Sequence, residues 1–151
     1  MTEIDIVPMT EGHVDEMAEL EQLCFSMPWS RDMLAGELVN DYARYFVAED
    51  FKGNVVGYIG MHLIIDEGYI TDVAVSPEHR KSGRGSALMR QVKRTAVQEK
   101  LKLLTLEVRR SNEIAQKLYK KYGFSVVGVR KGYYQPPRED ALIMLARMGK
   151  E

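Results

Sequence analysis

The chain has 151 residues, one domain's worth, and can bury a core without disulfides or a structural metal. At 45% hydrophobic and 28% charged it is an ordinary globular composition with no run of 18 apolar residues for a membrane span; the lone Cys24 excludes an internal disulfide and suits a reducing compartment, the cytoplasm. The net charge of −1 hides a split: residues 1–75 carry 3 Lys/Arg against 15 Asp/Glu, net −12, and residues 76–151 carry 18 against 7, net +11, so an anionic ligand is expected on the second half and a cationic partner on the first.

The pattern begins with a short strand, Ile4 to Pro8, and acids (Glu3, Asp5) stand where a secretory leader would be basic, so none is expected. A helix follows from about Glu11 to Cys24, with Thr10 as N-cap and Val14, Met17, Leu20 and Cys24 on one face. Pro28 and Trp29 interrupt it, and Ser30 can cap a second short helix carrying Leu34 and Leu38. Tyr45–Asp50 and Val55–Leu63 flank Lys52-Gly53-Asn54, a hairpin signal, and a turn over Ile65–Gly68 leads into Tyr69–Ser76. A helix from about Arg84 to Lys100 turns Leu88, Val92 and Ala96 inward, and the strand Leu103–Val108 comes after it. That long crossover implies a parallel pair, whereas the preceding short turns imply antiparallel ones. A helix from about Asn112 to Lys121 stops at Gly123, and Phe124–Tyr133 and Ala141–Arg147 close the chain. The order predicts a single α/β domain with a mixed sheet.

The richest segment is the junction of the fourth strand with the next helix, Val73-Ala74-Val75-Ser76-Pro77 through Arg80-Lys81-Ser82-Gly83-Arg84-Gly85-Ser86. A helix start offers unpaired N–H groups and a dipole that favours anions. Gly83 and Gly85 let an anion approach the backbone, Arg80, Lys81 and Arg84 add charge, and Ser82 and Ser86 add hydroxyls. A phosphate or pyrophosphate site is one reading; a tight turn with a solvated basic face is the other. The P-loop pattern is absent, and a Rossmann fingerprint fails because Leu88 stands at the third glycine position and the turn follows the wrong strand.

Arg80-x-x-Gly83-x-Gly85 after Val73-Ala74-Val75-x-Pro77 resembles the acetyl-CoA motif of the GNAT N-acetyltransferases. Leu106-Glu107-Val108-Arg109-x-Ser111-Asn112, Leu118-Tyr119 and Tyr122-Gly123-Phe124 resemble the next blocks of that family. Pro28-Trp29-Ser30, Arg130-Lys131-x-Tyr133-Tyr134 and Arg138 to Met144 are similar to its RimI branch, whose members acetylate the N-terminal alanine of a small-subunit ribosomal protein. The resemblance spans nearly the whole chain. It implies a mostly antiparallel sheet splayed at a central parallel pair, with helices on both faces, and direct acetyl transfer from acetyl-CoA to a protein N-terminal amine.

The resemblance also implies roles. Val73, Ala74 and Val75 would contact the cofactor through their backbone, the segment from Lys81 to Ser86 would hold the pyrophosphate with Arg80 beside it, and Asn112 would hydrogen-bond the cofactor. Asn112 could equally be a helix N-cap and nothing more. Glu107 is the candidate base: alternation turns Leu104, Leu106 and Val108 to one face and Glu107 to the other, where a carboxylate in an apolar strand demands a reason. The plainer alternative is a solvated Glu, or one paired with Arg109 or Arg130. Tyr119 is the candidate acid, with an ordinary half-buried aromatic as its alternative. Trp29, with Met27 and Pro28, and Tyr133, Tyr134 and Arg138 would surround the peptide. Cys24 reads as a small buried hydrophobe, not a nucleophile. The scattered His13, His62 and His79 offer no metal site, and no membrane partner is expected. The basic run from Arg80 to Lys102 lacks interleaved aromatics, so no nucleic-acid partner is expected. Two other readings stay open: acetyl transfer to another amine, such as a small metabolite or a lysine, and a CoA-binding module without catalysis.

Overall fold

The structure is a computed structural model that describes residues 4–77 and 83–148. Seven strands form one sheet: β1 Asp5–Pro8, β2 Ala43–Glu49, β3 Val55–Ile64, β4 Glu67–Val75, β5 Leu103–Arg109, β6 Ser125–Tyr134 and β7 Glu139–Arg147, in the order β1-β2-β3-β4-β5-β7-β6. The helices are α1 Val14–Cys24, α2 Arg31–Gly36, α3 Arg84–Gln98 and α4 Glu113–Lys121. Every pair is antiparallel except β4 with β5, which the α3 crossover joins in parallel.

Helices cover both faces. On one, Leu88, Met89, Val92 and Ala96 of α3 bury against Ile59, Met61, Ile70, Leu104 and Leu106. On the other, Val14, Met17 and Leu20 of α1 and Leu34 of α2 bury against Tyr45, Val47, Tyr58 and Ala74. Several local expectations hold to the atom. The Ser30 hydroxyl accepts the Met33 N–H at 3.2 Å and caps α2; Asn112 Oδ1 accepts the Ala115 N–H at 3.1 Å and caps α4. Gly123 ends α4 with a φ of +94°.

The departures are local. Residues Glu11–His13 form a 3-10 turn before α1, where Thr10 donates its N–H to His13 Nδ1 at 2.9 Å. After α2 the chain tightens into another 3-10 turn, Glu37–Val39, which rotates Leu38 off the buried stripe and leaves it 37% exposed. The β3–β4 connection is shorter than expected: Ile64 already pairs with Glu67, and Ile65 takes a φ of +57° in the two-residue turn. Phe124 lies outside β6 and packs into the core. Among the described residues no helix is long and apolar enough to cross a membrane.

Candidate active site

The parallel pair sets the geometry. Its ladder holds only from Glu67↔Leu103 to Tyr69↔Thr105. Beyond that point β4 runs on against β3 as far as Val75, and β5 runs on against β7 as far as Arg109. The two strands part, and two adjoining cavities open at the split. The larger, about 590 Å³, lies among α1, the α1–α2 loop, β4, β5 and the end of β6; the other, about 440 Å³, lies between the end of β4 and the starts of α3 and α4. Cys24, Phe25, Val73, Asn112 and Tyr119 line both.

The second cavity collects most of the expected cofactor residues: Val73, Ala74, Val75, Gly83, Gly85, Ser86 and Asn112. Gly83 caps α3 with a φ of +87°, a left-handed conformation that favours glycine. Gly85 faces α4; a Cβ there would stand 3.1 Å from Leu118 Cδ2, so the missing side chain brings the two helices together. Arg84 opens α3 and is buried. Arg80, Lys81 and Ser82 lie outside the described residues.

The first cavity holds the acid–base candidates. Burial alternates along β5, so Leu104, Leu106 and Val108 enter the core while Glu107 faces the cavity. Its side chain is 9% exposed; it pairs with Arg130 Nε at 3.3 Å and accepts a short hydrogen bond from the Tyr69 hydroxyl. Of the two arginines considered as partners, Arg130 is the one it meets. Tyr69 is thus an additional site residue, and burial followed by the Glu107 contact pushes its phenol up, keeping it a donor. Tyr119 is buried on α4 at the wall shared by both cavities, and burial with the nearby Asp72 charge pushes its phenol up as well. Trp29, Tyr133 and Tyr134 line the cavity. Arg138 does not; it lies over Gly132 on the far hairpin, where a Cβ on that glycine would stand 2.7 Å from Arg138 Nε. Cys24 is half-buried: it packs against the core on the α1 face, and its Sγ lies 3.5 Å from the Val75 carbonyl oxygen at the edge of the site.

A buried acidic pair at the cavity floor escaped the sequence reading. Glu21 is fully buried; Asp72 joins it through the Tyr58 hydroxyl, which contacts Glu21 and lies 3.0 Å from Asp72 Oδ2. Glu21 Oε1 also accepts the Trp29 N–H at 2.8 Å, which ties the α1–α2 loop to the floor. Burial, then the adjacent Glu21, raises the Asp72 carboxyl well above the usual range, so one proton stays in the pair. Glu21 had a signal: it falls on the Val14–Met17 stripe, at i+7 and i+4. Asp72 had none, because a β-bulge aims it. Gly60 pairs with Asp72 and Met61 with Ile70, so Thr71 is an extra residue that turns Asp72 to the α1 face while Ile70 stays on the α3 face.

A model of the acetyltransferase (GNAT) family matches residues 14–124. The chain belongs to that family. Among GNAT relatives, it is 41% identical over 132 residues to a Bacillus subtilis (strain 168) protein that carries the provisional name ribosomal protein bS18-alanine N-acetyltransferase, covering 87% of each chain. The Escherichia coli (strain K12) enzyme of the same name is 30% identical over 127 residues, 83% of this chain and 84% of that one. The crystal structure of the ribosomal-protein-S18-alanine N-acetyltransferase from Escherichia coli superposes with a TM-score of 0.87 at 27% identity, covering 100% of this chain and 97% of that one. The splayed sheet anticipated from the GNAT resemblance is the one observed.

Proposed function

We propose that this GNAT protein transfers acetyl from acetyl-CoA to the α-amine of a protein N-terminus, with the N-terminal alanine of ribosomal protein bS18 as substrate and the cytoplasm as setting. The observation that carries the reading is the pair of cavities meeting at Tyr119, with Glu107 in one and the Gly83–Ser86 helix start in the other. Acetyl-CoA, the donor GNAT acetyltransferases use, supplies an activated thioester. The second cavity suits it: the end of β4 presents backbone away from β5, Gly83 opens the turn, and α3 begins there with its positive dipole end. Val73–Val75, Gly83, Gly85, Ser86 and Asn112 would hold it.

The chain's own residues then have defined tasks. An N-terminal ammonium has a pKa of about 8, against about 10.4 for lysine, so the demand on a base near neutral pH is modest. Glu107 receives the amine proton, held in place by Tyr69 and Arg130. As the amine attacks the acetyl carbon and the carbon–sulfur bond breaks, Tyr119, whose phenol is still protonated, donates that proton to the departing thiolate. Trp29 on one wall and Tyr133 and Tyr134 on the other flank an extended peptide.

The test is a panel of peptides that differ in their first residue, assayed beside spermidine and free amino acids, with products located by mass spectrometry. Preferential α-acetylation of the alanine-first bS18 peptide is expected; equal or better turnover of the small amines would overturn the protein-substrate reading. Glu107→Gln should lower kcat roughly 10²–10³-fold and Tyr119→Phe roughly tenfold or more. Unchanged kcat in both would refute the acid–base assignment.

A further inference from the structure

We propose that Arg109 is a positioning residue that holds the two walls of the peptide slot at a set width. It follows Glu107 by two residues on β5 and faces the same cavity. Its guanidinium reaches both walls. On one side Nη2 donates to Ser26 Oγ in the α1–α2 loop at 3.3 Å. On the other, Nη1 donates to the Pro137 carbonyl and to Glu139 Oε1, each at 3.1 Å, and the group lies 4.5 Å from the centre of the Tyr134 ring. Glu139 is itself fixed, because its Oε2 accepts the Ser111 N–H at 2.6 Å; Ser111 and Arg109 together hold its carboxyl below the usual range.

These contacts set Arg109 apart from an ordinary solvated strand end. Ser26 and Tyr134 belong to segments with no shared sheet ladder, and both line the cavity. The α1–α2 loop that carries Ser26 is mobile unless tied, whereas Tyr134 ends β6 and is paired with Glu139. The planar guanidinium stacks on an aromatic face while its N–H groups point in fixed directions, which a lysine cannot reproduce. Trp29 is tied from inside by Glu21, and Arg109 ties the same loop from outside. The distance between Trp29 and the Tyr133–Tyr134 pair therefore depends on Arg109. A group that sets slot width acts on residues beyond the first of a bound peptide. It has no direct bearing on proton transfer at Glu107 or on the cofactor cavity.

The inference rests on reading the larger cavity as the peptide slot, and one experiment separates the two ideas. Steady-state kinetics are measured with acetyl-CoA and either an alanine-first heptapeptide or alaninamide. Arg109→Ala should raise the peptide KM about tenfold while kcat and the KM for alaninamide change less than about twofold. Arg109→Lys should fall between, since it keeps the charge and loses the fork. Ser26→Ala, on an exposed loop residue, removes the hydrogen bond that joins Arg109 to the α1–α2 loop and should raise the peptide KM about threefold; it decides the question if Arg109→Ala does not fold. Equal KM changes for both acceptors, no change in either, or a loss confined to kcat would overturn the role of Arg109. If the unmodified protein showed no preference for the heptapeptide over alaninamide, the slot reading itself would fail.

Discussion

Burial and the neighbouring Glu21 both disfavour charge on Asp72, so the folded protein keeps that proton above the usual carboxylate range. The unfolded chain releases it near pH 4. Between the two values the native state binds more protons than the unfolded state, so stability must fall as pH rises. The contribution from Asp72 is complete below the unfolded pKa and lost as pH climbs through the folded one. Asp72→Asn removes the titration, so its Tm relative to the parent protein should become more favourable from about pH 4 to about pH 8. Thermal melts across that range check it, and a difference that stays flat with pH would mean that the carboxyl ionises as it does in water. Asp72 was not legible in the sequence, where alternation from Ile70 turns it to the wrong face. Glu107 was legible, because three apolar alternates on a regular strand leave it one direction to point.

At the scale of elements, the strand-to-helix turn after β4 is where local conformation and function meet. Gly83 stands at φ +87°, and no described residue beyond its chain neighbours lies within 4 Å of where a Cβ would stand, so its conformation argues for glycine. Gly83→Ala should cost about 1–2 kcal/mol, measured by chemical denaturation, from the left-handed strain alone. It should also raise the KM for acetyl-CoA, because the same turn opens the second cavity. A loss of stability without that KM change would separate the turn from the cofactor. Caps and stops elsewhere in the chain were readable because they depend on one or two side chains, as at Ser30, Asn112 and Gly123. Leu38 was misread because a 3-10 turn changes the period just where α2 ends.

Across the whole molecule the charge split takes on a location. The +11 half carries α3, α4 and β5, with the cofactor turn, Glu107 and Tyr119; the −12 half carries α1, α2 and the first four strands, with the Trp29 wall and the buried acids. The KM for a basic alanine-first peptide should therefore rise as salt increases from about 0.05 M to about 0.5 M, while that of a neutral peptide with the same first residues stays nearly constant. Parallel salt titrations with the two peptides check it, and matching responses would show that charge on the acidic half does not steer substrate. The basic half also contributes Tyr133 and Tyr134 to the peptide cavity, so the boundary between halves is not the boundary between sites. The sequence by itself determined the element order, the parallel crossover, the glycine turn and the inward face of β5. These follow from period, turn chemistry and connection length, which are local. Only the tertiary structure decided that the splay implied by the resemblance begins after Tyr69, that Thr71 bulges, that Tyr69 and Arg130, not Arg109, close on Glu107, and that Arg109 spans two walls. Each of those depends on residues from strands and loops distant in the chain, whose meeting no local periodicity encodes.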